Sequence, residues 1–202
     1  VTSTELINPN TSEALPPSTR SFADVDVVFP VLHGPWGEDG TIQGLLELAN
    51  VPYVGSGVFA SAAAMDKAQC KRILSAAGIA VVPSVLVTAR DWANKREALL
   101  GECESLGMPV FVKPSRAGSC IGISKVTHFD DLAPAVEAAA LHDPRVLVEA
   151  SADSAREIEI GVITGDDGRA MASVPAEVIV RSGHEFYDFE AKYLDDAVDL
   201  VV

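Results

Sequence analysis

Apolar and polar residues alternate along this chain with two different periods, and the places where the period changes mark out its elements. Residues 1–23 are rich in Ser, Thr, Pro and Asn, and Pro16-Pro17-Ser18-Thr19 reads as loop. Asp24-Val25-Asp26-Val27-Val28-Phe29-Pro30-Val31-Leu32 is β-rich and predicts a buried parallel strand. A polar glycine loop, His33-Gly34-Pro35-Trp36-Gly37-Glu38-Asp39-Gly40, leads into a helix over 41–50 with apolar positions at Ile42, Leu45, Leu46 and Leu48. Val51-Pro52-Tyr53-Val54 predicts a second strand. Strand, loop, helix and strand make a βαβ unit, which implies an α/β layer. Helices are expected over 59–65 and 66–77, the second stopping at Gly78, then a strand over 81–87 and a helix over 92–106 that stops at Gly107. A strand at Pro109-Val110-Phe111-Val112, a helix over 130–141 and a strand at Val146-Leu147-Val148-Glu149 follow. Glu157-Ile158-Glu159-Ile160-Gly161-Val162-Ile163 alternates as a half-exposed strand does, and Asp166-Asp167-Gly168 is a hairpin-type turn from which 170–180 pairs back. The second half therefore reads as α+β with antiparallel hairpins, and the change of domain falls near residues 58–72.

Length and charge narrow the picture. The 202 residues suffice for one or two domains, and a 48% hydrophobic content places the chain among globular proteins. A net charge of −14 argues against nucleic-acid partners and anionic membranes, because phosphate contacts need a basic surface. A small anionic ligand is still compatible where local lysines outweigh the global field. Cys70, Cys103 and Cys120 are odd in number and widely spaced, which fits a reducing cytoplasm better than a disulfide framework or a zinc site. No apolar run is long enough to span a bilayer, and no signal-peptide pattern is found. The sequence begins at Val1 and ends on Asp199-Leu200-Val201-Val202, and is expected to be a piece of a longer protein lacking both termini.

The richest chemistry lies at 109–122. An apolar strand ends on Lys113; a loop of small residues, Pro114-Ser115-Arg116-Ala117-Gly118-Ser119-Cys120, follows; a second apolar segment resumes at Ile121-Gly122-Ile123. Small residues let backbone N–H groups approach an anion, and the lysine adds a fixed positive charge, as in a lid over nucleotide phosphates. A lysine at a strand end is more often simply exposed, and Ser119 is equally a solvated loop serine. Lys67 opens a helix as Met65-Asp66-Lys67, where a cation opposes the macrodipole; an anionic ligand or a side chain leaning into solvent would each account for it. His33 stands beyond a strand's carboxyl end, where α/β sheets bind ligands, against the alternative of a hydrogen-bonded structural histidine. Glu38 and Asp39 read as ligand contacts or, more simply, as caps for the helix at 41–50. Glu149 ends one strand and Glu157 starts another, positions suited to ribose hydroxyls or an adenine amino group, or to plain solvation. The aromatic and charged run Phe186-Tyr187-Asp188-Phe189-Glu190-Ala191-Lys192-Tyr193 reads as a structured loop. Gly55-Ser56-Gly57-Val58-Phe59-Ala60 fits the dinucleotide pattern G-x-G-x-x-A, but no acid ends the next strand, which runs into Thr88, Ala89 and Arg90.

Taken together, the 33–44 segment, Tyr53-Val54-Gly55-Ser56-Gly57, Met65-Asp66-Lys67, Val112-Lys113-Pro114-Ser115-Arg116, Val148-Glu149 and Tyr187-Asp188-Phe189-Glu190-Ala191-Lys192-Tyr193 resemble the D-alanine–D-alanine ligases, ATP-grasp enzymes of cell-wall synthesis. The resemblance implies an α/β fold: a βαβ layer like the N-terminal domain of biotin carboxylase over 1–66, then an incomplete α+β ATP-grasp domain over 67–202, with subdomains at about 67–148 and 149–202. It implies an ADP-forming carbon–nitrogen ligase of the cytoplasm that makes D-alanyl-D-alanine for peptidoglycan, with ATP and Mg2+ or Mn2+ as cofactors, D-alanine as substrate and a homodimer as the whole protein. Lys67, Lys113 and Lys192 would hold phosphates, Glu149 and the backbone at Ala150 would face adenine, and Glu157 the ribose. His33 would sit beside the first D-alanine. Ser119 and Tyr193 would meet when a lid at 183–195 closes, and a tyrosine there matches the dipeptide-forming rather than the D-alanyl-D-lactate-forming type. Metal ligands are expected beyond Val202, so the fragment alone is expected to be inactive. Ala117 and Cys120 depart from the family's loop, which carries Glu or Gly and Ser there. A non-catalytic nucleotide-binding module, another ATP-grasp amino-acid ligase and an NAD(P)-type oxidoreductase are the alternatives.

Overall fold

The computed structural model describes residues 25–152, 155–180 and 198–202. The 183–195 segment, with Lys192 and Tyr193, lies outside the described residues. The first helices among the described residues are α1 (Thr41–Leu48), α2 (Val58–Met65) and α3 (Lys67–Ala76). The expected strands on either side of α1 shrink to one parallel bridge between Val28 and Tyr53, held by Val28 N–H to the Pro52 carbonyl and Val54 N–H to the Val28 carbonyl, each 2.9 Å. The βαβ connection is present in this minimal form, but the buried strand is not. Pro30 and Pro52 lack the N–H that a longer ladder needs, and Val25, Val27, Phe29, Val31 and Leu32 are exposed.

Strands β1 (Ser84–Thr88), β2 (Val110–Pro114), β3 (Ser124–Val126) and β4 (Arg145–Ala150), with helices α4 (Ala89–Glu104) and α5 (Leu132–Ala140), form the centre. The sheet order is β1-β4-β2-β3, every pair antiparallel. Alternation puts Val110, Val112, Val146 and Val148 on one face, under Leu99 and Cys103 of α4 and Leu132, Val136 and Ala139 of α5. Phe111 is directly opposite Glu149, and Lys113 opposite Leu147. Lys113 and Glu149 are therefore diagonal neighbours on the other face.

Several boundaries differ from expectation. The strand read over 81–87 starts at Ser84, because Pro83 has no N–H; its carbonyl instead accepts from Ala150 N–H at 3.0 Å. The helix read over 92–106 starts at Ala89, where Thr88 Oγ1 accepts Asp91 N–H at 3.1 Å as an N-cap, and it kinks at Lys95. The apolar segment resuming at Ile121-Gly122-Ile123 begins as a turn and leads into β3. The helix read over 130–141 is a 3-10 helix, Phe129–Asp131, running into α5. The strand read over 157–163 is two, β5 (Glu157–Glu159) and β6 (Val162–Thr164), and the returning segment is β7 (Ala170–Ala172) and β8 (Ala176–Val180), with β9 (Val198–Val201) beside β8. The break falls where Gly161 N–H donates to Ser173 Oγ at 3.0 Å, and Pro175 supplies no donor. The expected turn at Asp166-Asp167-Gly168 closes the β6–β7 hairpin. Among the described residues, no helix is long and apolar enough to cross a membrane.

Candidate functional site

The site is assembled where the N-terminus of α3 meets the end of β2. Asp66 caps α3: its Oδ1 accepts Gln69 N–H at 3.2 Å and the Ser115 hydroxyl at 2.8 Å. Ser115 is fully buried; its carbonyl accepts Lys67 N–H at 2.9 Å and its Oγ accepts Ala68 N–H at 3.3 Å. The first N–H groups of the helix, which no intrahelical acceptor reaches, are thus satisfied by the turn that follows Lys113. Lys67 neither leans into solvent nor waits at the helix end. Its ammonium donates to the Pro114 carbonyl at 3.2 Å and the Ala117 carbonyl at 2.6 Å, spanning the start of the glycine loop.

Asp143 holds the same turn from the other side. It is 3% exposed and accepts Arg116 Nε at 3.0 Å, Arg116 Nη2 at 2.7 Å, Arg116 N–H at 2.8 Å and Arg145 N–H at 3.0 Å. Burial pushes its carboxyl pKa up, but these donors outweigh it and hold the carboxyl below the usual range. Arg145 Nη2 reaches Asp66 Oδ2 at 3.2 Å and ties the two carboxylates together.

Two ammonium groups pair with one carboxylate, and the charge of a third, Lys67, is felt there. Lys71 of α3 pairs with Glu149 Oε1, and Lys113 of β2 pairs with Glu149 Oε2. Lys113 Nζ also sits 5.3 Å from the Phe111 ring centroid. Burial raises the Glu149 pKa, and the two lysines more than offset that, so it lies below the usual carboxylate range. Lys67 is held below the usual lysine range by its own burial and then by the charge of Lys113. Ala150, next to Glu149, has its N–H committed to Pro83.

The glycine loop is bent sharply: Ser119, Cys120 and Gly122 have φ of 51°, 58° and 70°. Ser119 and Cys120 are half-buried. The loop rests on the other glycine loop, since a Cβ added to Gly118 would stand 3.2 Å from Gly34 Cα and 3.6 Å from Glu38 Oε2. Glu38 accepts the Gly34 N–H, and Asp39 accepts Trp36 N–H at 2.9 Å and Thr41 N–H at 3.0 Å, so this pair braces the loop and the start of α1, the simpler of the two expectations. His33, beside Gly34, is exposed. Among the expected residues, Lys67, Lys113 and Glu149 come together with the Ser119 loop, and His33 stands on the loop that touches it. Glu157 is exposed at the start of β5, in a different sheet. Lys192 and Tyr193 lie outside the described residues. Sequence reading passed over Lys71, whose only signal was its spacing four residues after Lys67, and Asp143, which had no local signal at all. A groove of about 680 Å³, lined by Pro35, Phe59, Met65, Asp66, Arg116 and Asp143 among others, borders the Asp66 and Asp143 side of the site, and among the described residues no lysine lines it.

Residues 73–202 match the family model for the D-ala D-ala ligase C-terminus, and residues 5–56 that for the D-ala D-ala ligase N-terminus. The chain belongs to the D-alanine–D-alanine ligase family. A D-alanine–D-alanine ligase of Kineococcus radiotolerans is 55% identical over 180 residues, 89% of this chain and 48% of that protein. Its counterpart from Frankia casuarinae is 58% identical over 175 residues, 86% of this chain and 44% of that one. Among solved structures, the VanG D-Ala:D-Ser ligase from Enterococcus faecalis matches with a TM-score of 0.73 at 39% identity, over 88% of this chain and 49% of its own. D-alanyl-alanine synthetase A from Vibrio cholerae matches with a TM-score of 0.73 at 33% identity, over 88% of this chain and 52% of its own. The fold is accordingly the α/β fold of these ATP-grasp ligases, and the chain spans about half the length of the relatives it matches. The N-terminal match takes in Gly55 and Ser56, so the dinucleotide reading of that motif is set aside.

Proposed function

We propose that the protein of which this chain forms about half joins two D-alanines into D-alanyl-D-alanine for peptidoglycan, as an ADP-forming ligase. The observation that carries this reading is the cluster of Lys67, Lys71 and Lys113 around Glu149 beside the glycine loop, in a chain whose net charge is −14. Lys67 and Lys113 repel one another, and an anion between them relieves that repulsion, so the cluster fits nucleotide phosphates. ATP supplies the phosphoryl group that activates one D-alanine carboxylate as an acyl phosphate. In this reading Lys67, Lys113 and Lys192 hold phosphates, Glu149 and the Ala150 backbone face adenine, and Glu157 faces the ribose. His33 lies beside the first D-alanine. The 115–122 loop, with Ser119 meeting Tyr193, keeps water from the activated carboxylate. In this reading the chain divides into the rest of an N-terminal substrate domain over 1–66 and an ATP-grasp domain over 67–202. Mg2+ or Mn2+ would accompany ATP in this reading and share in neutralising its phosphates. A cytoplasmic homodimer completes the reading.

The test is phosphate release by the full-length parent. Release requiring both ATP and D-alanine is expected; release without D-alanine, or none with it, sinks the assignment. The likeness to a D-Ala:D-Ser ligase raises D-serine as a rival second substrate; product analysis with D-alanine, D-serine and D-lactate mixed tests it, and this reading expects chiefly D-alanyl-D-alanine.

A further inference from the structure

Glu149 stands on β4, between β1 and β2, with Ser84 opposite on one side and Phe111 on the other. Its backbone is thereby fixed, and the direction of its carboxylate is left to its side-chain torsions. Two lysines settle that direction from different elements. Lys113 reaches Oε2 from the neighbouring strand, and Lys71 reaches Oε1 from α3. The Lys71 and Glu149 side chains are only 16% and 15% exposed, unlike a solvated surface pair. Lys67, one helical turn before Lys71, is spent on the loop carbonyls, and Lys113 lies beside the loop and over Phe111. Among the described residues, Lys71 bonds to Glu149, whereas Lys67 is engaged by the loop and Lys113 by Phe111 as well.

Building on the ATP reading above, we propose that Lys71 is a positioning residue that makes the site select adenine, by holding Glu149 as an oriented, acceptor-only carboxylate. An ionised carboxylate offers lone pairs and no proton. A base edge with an exocyclic amino group satisfies it, whereas guanine places a carbonyl at the corresponding position and leaves two acceptors facing each other in a half-buried site. Loss of Lys71 frees the carboxylate to rotate and makes its neutral, proton-donating form easier to reach. Both changes erode discrimination between the two bases without touching the phosphate-binding lysines.

The test is calorimetric titration of ATP and GTP, without metal, into the full-length parent carrying Lys71→Met, Lys71→Arg, Glu149→Gln or Lys71→Met with Glu149→Gln, each checked for folding by thermal unfolding. Lys71→Met is expected to lower the ATP-to-GTP affinity ratio about tenfold or more, Lys71→Arg to keep it within about threefold of the unmodified protein, and the double variant to match Glu149→Gln alone. An unchanged ratio in folded Lys71→Met, additive losses in the double variant, or no ATP preference in the unmodified parent overturns the proposal. If Lys71→Met does not fold, the Lys71→Gln substitution takes its place with the same outcomes. A parent that prefers ATP yet releases no phosphate with D-alanine sinks the ligase reading and leaves the Lys71 assignment standing.

Discussion

Residues 84–150 and the segments that flank them, 25–65 and 157–180, all carry apolar runs, yet they treat them differently. In the central sheet, Val110, Val112, Leu132 and Val148 are at 0% exposure, because α4 and α5 close over one face. In the flanking segments Phe29, Val31, Trp36, Phe59, Val162 and Ile163 stand open, on a single bridge, short helices and a two-stranded hairpin against which no layer packs among the described residues. The contrast teaches that an apolar pattern creates an element, but only a second layer makes it core. It also locates the site. Lys113 and Glu149 belong to the well-packed sheet, and Lys67 and Lys71 come from α3 at the seam with the open segment, so the cluster joins a rigid platform to its neighbour.

The largest expected effect tests that contrast directly. Leu132→Ala removes a fully buried side chain and is expected to cost about 2–5 kcal/mol in urea unfolding, whereas Phe59→Ala, at a position 78% exposed, is expected to change stability by about 0.5 kcal/mol or less. Equal losses would erase the distinction between the regions.

Asp143→Asn probes the polar seam. It keeps the shape but gives up the charge that meets Arg116, with an expected loss of about 1–3 kcal/mol near neutral pH. The folded carboxyl lies below its ordinary value of 3.8, so the folded state binds fewer protons than the unfolded chain between the two values. Stability from this group is complete above the unfolded pKa and is lost as pH falls through the folded one. Unfolding measured from pH 6 down to about pH 3 should therefore show a shallower acid slope for Asp143→Asn than for the unmodified protein. Parallel curves would remove Asp143 from the account.

The smallest effect belongs to the open hairpin. Gly168 has φ of 76° with nothing within 4 Å of an added Cβ, so Gly168→Ala carries backbone strain alone, about 1 kcal/mol. Hydrogen exchange should report it within 162–172 and leave the central sheet unchanged. Spread into 84–150 would mean that the two regions unfold as one.

Much of this was legible in the sequence because it rests on local chemistry. The helices at 41–48, 58–65 and 67–76 follow from periodicity and from caps such as Asp66, and the hairpin turn follows from Asp166-Asp167-Gly168. The lysine and glycine loop at 113–122 stood out because small residues and a cation are adjacent there. The long strand at 24–32 was misread because its apolar run matched a buried strand, while Pro30 and Pro52 limited the pairing it could make. The 157–163 strand was misread because alternation continues through Gly161, where the hydrogen bonds change partner.

Residue order alone was enough to mark a cationic, glycine-rich loop and a capped helix, since both are written within about ten residues. It could not place Lys71 on Glu149, 78 positions away, or Asp143 on Arg116, 27 away. Those meetings depend on antiparallel register and on the docking of α3 against the end of β2. A carboxylate finds its cation only when the backbone has been folded to bring the two within hydrogen-bonding distance.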